Sequence, residues 1–181
     1  MSKIEVRKAN ESDLVQVVSI GEGIFPQEYN HLVRERSLTF FRDILKAHFD
    51  RMYVSQQDGN FLGFAIYKPQ GLTDTHELFQ IGVRKESQEQ GVGTILLRES
   101  MEKYIEEMRQ LGLGVYAIYL ATAYDNPAGQ NLYRKCGFEI TGTLSDTYVG
   151  MGDRQVLMTK IFDRSRRYEP GTMWNPDIKK S

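Results

Sequence analysis

The sequence predicts a single α/β domain: a mixed, mostly antiparallel central sheet of about seven strands with helices on both faces. Three observations carry that expectation. Strand-like and helix-like apolar periodicities alternate along most of the chain in the order β α α β β β α β α β β. A turn signal, Asp58-Gly59-Asn60, joins two strand-like runs as a hairpin. Residues 115–123 are almost continuously apolar and aromatic, as in a strand buried on both faces. At 181 residues the chain suits one domain. We place it at 1–162 and read 163–181, which loses apolar periodicity and carries Pro170, Gly171 and Pro176, as a C-terminal extension containing the only tryptophan, Trp174.

The elements follow in order. Residues 4–8 alternate apolar and charged side chains, the pattern of a half-buried strand. Asn10, with Asp13 three residues on, caps a helix whose apolar face holds Leu14, Val17 and Val18. After a loop with Gly21, Gly23 and Pro26, a second amphipathic helix presents Leu38, Phe41, Ile44, Leu45 and Phe49. The hairpin strands are 52–56 and 61–68, and a further strand covers 77–83. Val92, Ile95, Leu96, Tyr104, Ile105, Met108 and Leu111 recur at helical spacing, and Gly112 or Gly114 stops that helix. The strand 115–123 precedes a short helix over 128–135 that Gly137 ends as a left-handed cap. Strands 138–144 and 154–161 complete the sheet.

Composition narrows the classes of function. Hydrophobic residues make up 40% and charged residues 26%, a globular balance. With 23 Lys and Arg against 24 Asp and Glu the formal charge is −1, so no overall field favours nucleic acid or an anionic membrane. The lone Cys136 cannot form an intramolecular disulfide, and His31, His48 and His76 lack zinc spacing. No apolar run reaches signal-peptide or membrane-spanning length. The expectation is a cytoplasmic, metal-free protein without nucleic-acid or membrane partners; a homodimer is compatible with the sequence.

The most informative segment is Gln88-Glu89-Gln90-Gly91-Val92-Gly93-Thr94, which leaves a strand and enters the long helix. The first N–H groups of a helix have no intrahelical partner, and the helix dipole favours negative charge there. Glycines 91 and 93 remove side chains that would hold a phosphate away. Taken alone, Gly-x-Gly also fits an ordinary strand-to-helix turn. Neither a Gly-Lys-Ser/Thr triplet nor G-x-G-x-x-G with a downstream acid is present, so P-loop and dinucleotide readings fail.

Here the sequence resembles the GNAT superfamily of acetyl-CoA-dependent N-acetyltransferases. Its pyrophosphate loop reads Q/R-x-x-G-x-G/A, matched by Gln88, Gly91 and Gly93, and its second signature, N-x-x-A-x-x-L-Y-x-K-x-G-F, is matched from Asn126 to Phe138. Gly129 replaces the usual alanine and Ala128 a common arginine, which implies a looser helix start and cofactor contact. The resemblance implies acetyl-CoA as co-substrate, with the N–H groups of Glu89, Gln90, Gly91, Val92, Gly93 and Thr94 on its pyrophosphate. Ile81, Gly82 and Val83 would pair with the pantetheine where two parallel strands splay after a bulge that Gly82 could permit. Asn126 would contact the pantetheine, with Gly129 alongside.

The resemblance also implies transfer to a primary amine of a small molecule, a polyamine among them, or of a peptide. A regulatory module that senses acyl-CoA, or a protein N-terminal or lysine acetyltransferase, are the alternatives. An alkylamine, with a pKa of about 10.4, must lose a proton before it attacks. Glu77, at the start of the strand before the loop, is the candidate base, directly or through water; a water chain without it is the other route, and His76 is the fallback. Tyr133 is the candidate donor to the departing thiolate, and the Val83 N–H is an oxyanion contact. Acceptor choice would lie in 24–37, 69–75 and 146–153, and Glu22, Glu28, Glu35, Asp74, Asp146 and Asp153 could draw a cation.

Overall fold

The computed structural model describes residues 2–24, 43, 45–70, 74–145 and 154–162. Most of the expected second helix, the segment 146–153 and the extension 163–181 lie outside them. The elements are β1 (Glu5–Lys8), α1 (Leu14–Ile24), β2 (Met52–Gln57), β3 (Asn60–Pro69), β4 (Thr75–Val83), α2 (Val92–Gln110), β5 (Ala117–Ala123), α3 (Pro127–Lys135), β6 (Glu139–Ser145) and β7 (Arg154–Ile161). They form a seven-stranded sheet in the order β1-β2-β3-β4-β5-β7-β6. Every pairing is antiparallel except β4 with β5.

Local chemistry accounts for the boundaries. Asn10 and Asp13 form a reciprocal capping box, although the turn they close, Glu11–Asp13, is a 3-10 turn leading into α1. Asp58 and Gly59 both have positive φ, 50° and 77°, as the tight β2–β3 hairpin requires. Gly112 and Gly137, with φ of 75° and 88°, end α2 and α3.

Period-two alternation divides the core between the two faces of the sheet. Tyr53, Ala65, Tyr67 and Leu78 pack with Leu96, Leu97, Met101 and Tyr104 of α2. Met52, Val54, Phe64 and Ile66 pack with Val17 of α1 and Leu45. In β5, Ile118 and Leu120 are buried but Ala121 and Ala123 are exposed, so the expectation of burial on both faces holds only for its first half. Ala121 and Ala123 lie beyond the last β4–β5 pair, while Thr122 between them stays buried. β4 and β5 pair only through Thr75↔Ala117, His76↔Ile118 and Glu77↔Tyr119.

The bulge behind that departure is not at Gly82. Ile66 pairs with Gln80 and Tyr67 with Leu78, which leaves Phe79 as the extra residue. One extra residue reverses the facing of all that follows. Leu78 lies in the α2-side core, whereas Gly82, four residues on, faces α1. Gly82 has another role: a Cβ there would come within 2.7 Å of the Phe64 ring and 2.8 Å of Ile20.

Candidate functional site

Where β4 parts from β5, a cleft of about 510 Å³ opens. One wall is the end of β4 with Ile81, Gly82 and Val83; another is the loop and first turn of α2 with Gln88, Glu89, Gly91, Gly93 and Thr94. The third is α3, contributing Asn126, Ala128, Gly129, Asn131, Leu132, Tyr133 and Lys135. The cleft thus collects most of the residues singled out in the sequence. Gln90 and Val92 do not line it: the Gln90 side chain folds back to donate to Glu86 O at 2.7 Å, and Val92 is buried in the core.

The loop is shaped to leave amides open. Gly91 caps α2 with φ of 81°, and Glu89 also has positive φ, 61°, a conformation uncommon away from glycine. Thr94 and Ile95 both donate to Gly91 O, so Val92 and Gly93 precede the first intrahelical bonds. A Cβ on Gly91 would meet nothing within 4 Å, so the space in front of it is free. The Gln88 side chain donates to Val83 O at 3.1 Å and ties the loop to the end of β4. Lys135, at the far wall, adds a cation.

Asn126 caps α3: its Oδ1 accepts the Gly129 N–H at 3.0 Å and its Nδ2 donates to Thr122 Oγ1 at 3.2 Å. Contrary to the looser start expected from Gly129, this end is close-packed, since a Cβ on Gly129 would lie 2.5 Å from Asn126 Nδ2. Tyr133 is 8% exposed and packs edge-on against Phe138. Burial pushes its phenol up to about 12, against a smaller opposing effect of the Thr122 hydroxyl.

Glu77 does not line this cleft. It sits at the last β4–β5 pair, where it accepts from Gln70 Nε2 at 2.6 Å and interacts with the Tyr119 hydroxyl. Burial, then the charge of Glu77, pushes Tyr119 up to about 12. His76, next in the strand, has its side chain on the opposite face and is 1% exposed. Its Nε2–H donates to Gly114 O at 2.9 Å, so its Nδ1 accepts from Tyr104 O–H at 2.6 Å. Both ring nitrogens are occupied within the core, which removes His76 as a fallback base.

A second cleft of about 580 Å³ lies on the α1 side, lined by Ser19, Ile20, Arg84, Lys85 and Glu86 and sharing Ile81, Gly82, Val83 and Gln88 with the first. The end of β4 is therefore reached from both faces. Of the acidic candidates for acceptor binding, Glu28, Glu35, Asp146 and Asp153 lie outside the described residues, as does the side chain of Glu22. Asp74 is engaged at the β5 entrance, its carbonyl accepting from Tyr116 N at 2.6 Å.

Residues 15–138 match the model of the acetyltransferase (GNAT) family. The chain belongs to that family. Ribosomal-protein-alanine N-acetyltransferase from Brucella melitensis is similar in fold, at 24% identity and a TM-score of 0.68, covering 87% of this chain and 99% of that one. A spermidine N-acetyltransferase chimera of Vibrio cholerae and hSSAT matches at 21% identity and 0.68, over 88% and 96% of the two chains. The yncA protein of Salmonella typhimurium, solved with its cofactor acetyl-CoA, matches at 18% and 0.65, over 92% and 98%. No curated protein matches the sequence significantly. This GNAT chain shows no candidate metal cluster among its described residues, and no described helix is long and apolar enough to cross a membrane.

Sequence reasoning missed Ala128, Asn131, Leu132 and Lys135 as lining residues, and Thr122 and Tyr119 as partners of Asn126 and Glu77. The first four share a face of α3 at i, i+3, i+4 and i+7 from Ala128, a signal present in the second signature. No sequence signal pointed to Tyr119, because strand pairing brings it to Glu77.

Proposed function

We propose that this GNAT protein is an N-acetyltransferase that moves the acetyl group of acetyl-CoA directly to a primary amine of a small molecule or peptide. The observation that carries the reading is the cleft between the parted ends of β4 and β5, open at one end onto the unpaired amides that begin α2. Its lining fits the co-substrate: the end of β4, glycine-bared N–H groups for a diphosphate, and Lys135 for further negative charge.

In this reading the amides of Glu89 to Gly93 hold the pyrophosphate, the Thr94 N–H being given to Gly91 O, and the edge of Ile81, Gly82 and Val83 holds the pantetheine. Acetyl-CoA supplies the activated acyl group and a thiol leaving group. The Val83 N–H stabilises charge on the thioester oxygen. The acceptor reaches the end of β4 from the α1 side, the face on which Glu77 lies, and Glu77 takes its proton directly or through water. Spermidine and ribosomal-protein acetyltransferases among the similar folds make cationic amines and peptide N-termini the first acceptors to try.

The phenol of Tyr133 has a narrower task than full proton transfer. With the phenol pushed up to about 12 and a thiol near 8.5, complete transfer would run uphill by roughly 5 kcal/mol. Tyr133 stays protonated at neutral pH and donates a hydrogen bond to the developing thiolate.

Two measurements test the proposal. Calorimetry should show acetyl-CoA binding that Gly91→Glu abolishes, because a carboxylate would then stand in the anion's place. Thiol release across a panel of amines and peptides should identify an acceptor, and Tyr133→Phe should lower kcat about a hundredfold with KM for acetyl-CoA little changed. Absence of binding heat in the unmodified protein would refute the proposal. Tight binding with no turnover on any acceptor would favour the acyl-CoA-sensing module instead.

A further inference from the structure

We propose that Lys68 is a self-acetylation site: with acetyl-CoA bound, its amine takes the acetyl group within the same chain and Glu77 receives the proton. The inference rests on the reading of the cleft as the acetyl-CoA site and of Glu77 as the base.

Strand register puts this lysine beside that base. Lys68 of β3 stands directly opposite Glu77 of β4, and residues so paired share a face of the sheet with Cβ atoms about 5 Å apart. The face is the α1 side, because the neighbouring pair, Tyr67 and Leu78, belongs to the α2-side core. The bulge keeps Phe79 on the same side as Glu77, and its ring packs with the α1-side core. Lys68 Nζ lies 5.7 Å from the centroid of that ring. The lysine stem therefore leans from β3 over β4, toward the point where β4 parts from β5. Glu77↔Tyr119 is the last pair before the parting, and Phe79 follows it at the bulge. The chain thus holds an amine of its own on the face from which an acceptor would arrive.

Its surroundings leave that amine able to move. Lys68 is half-buried, and among the described residues no carboxylate stands within ion-pair distance of it. Glu77 itself accepts from Gln70 Nε2 at 2.6 Å. Contact with an aromatic face holds an ammonium by only about 0.5–1 kcal/mol at partly exposed sites, and the four-carbon stem is flexible. The transfer balances as follows. Glu77 takes one proton from the ammonium, and the freed nitrogen lone pair attacks the thioester carbonyl carbon. As the C–N bond forms and the C–S bond breaks, the sulfur keeps the electron pair and takes the second proton from nitrogen. CoA leaves as the thiol, Glu77 returns its proton to water, and Lys68 becomes an uncharged amide.

The test incubates the full chain with acetyl-CoA and no acceptor, and follows each lysine by peptide mass spectrometry. Lys68 should gain an acetyl group at least about tenfold faster than Lys103, an exposed lysine of α2, because its amine is already held at the site. The rate should not depend on protein concentration. Glu77→Gln should slow the labelling about tenfold. Gly91→Glu, which keeps Lys68 but blocks the anion site, should stay unlabelled at Lys68 even when mixed with Lys68→Arg protein. Labelling no faster than at Lys103, undiminished labelling in Glu77→Gln or Gly91→Glu, or a rate that rises with protein concentration would overturn the proposal. So would an unlabelled Lys68 in protein that binds acetyl-CoA and acetylates an amine of the panel. Absence of binding heat would instead remove the reading of the cleft on which the proposal stands.

Discussion

At the scale of single residues, His76 and Tyr133 show how burial decides what a titratable group can do. Both are packed against the α2 side of the sheet, yet one ends in a cleft and the other in the core. Burial holds the His76 imidazole below its ordinary value, its hydrogen bond to Gly114 only partly opposing this. His48 is lowered in the same way, by burial and then by Lys68 and Arg51. A histidine with a pKa of about 6.5 when unfolded and lower when folded takes its proton first in the unfolded chain. Stability is then full above about pH 6.5 and falls as pH drops from there toward the folded values. Asp13, held low by the hydrogen bonds from Arg7, acts only in more acid solution. Thermal unfolding should show Tm decreasing between about pH 7.5 and 5.5, a range chosen around the ordinary imidazole value, and decreasing less in His76→Phe. An equal decrease in that variant would assign the effect elsewhere.

At the scale of elements, the β3–β4 pair is the part of the sheet least tolerant of added atoms. A Cβ on Gly63 would stand 2.5 Å from the Gly82 carbonyl oxygen, and one on Gly82 would strike Phe64 and Ile20 at 2.7 and 2.8 Å. Side chains can yield where backbone cannot. Gly82→Ala should cost ~1–3 kcal/mol by overpacking, and Gly63→Ala at least as much, since the strands themselves must part. Urea denaturation checks both values. Gly63→Ala should also weaken acetyl-CoA binding, because the carbonyl it displaces belongs to the cleft's strand. A Gly63→Ala protein as stable as the parent would contradict this packing.

At the scale of the whole molecule, the site exists because one parallel pair in an otherwise antiparallel sheet comes apart. The bulge at Phe79 and the parting of β4 from β5 expose backbone that a ligand can satisfy, and α2 and α3 close the space from one face. Acetyl-CoA at about a hundred times its Kd should add ~2.7 kcal/mol to stability. Hydrogen exchange should slow at Ile81, Gly82 and Val83 and at Glu89 to Gly93, with no change in the exposed edge strand β6. Uniform slowing across the sheet would indicate general tightening instead of a ligand lying along β4.

The sequence by itself determined the order of elements, their approximate limits and most of the cleft residues. Each of these depends on neighbours a few positions apart: the Asp58-Gly59 turn, the Asn10 cap, Gly137, and the two signatures whose glycines and Asn126 shape helix ends. What only the tertiary structure decided is who meets whom across the sheet. Adjacent residues His76 and Glu77 separate because a strand alternates its faces and only one face meets α2. The bulge fell at Phe79 and not Gly82, since register is set by the pairing of two strands and not by either alone. Tyr119 became a partner of Glu77 for the same reason: forty-two residues separate them in the chain, and only the parallel pairing of β4 with β5 brings them together.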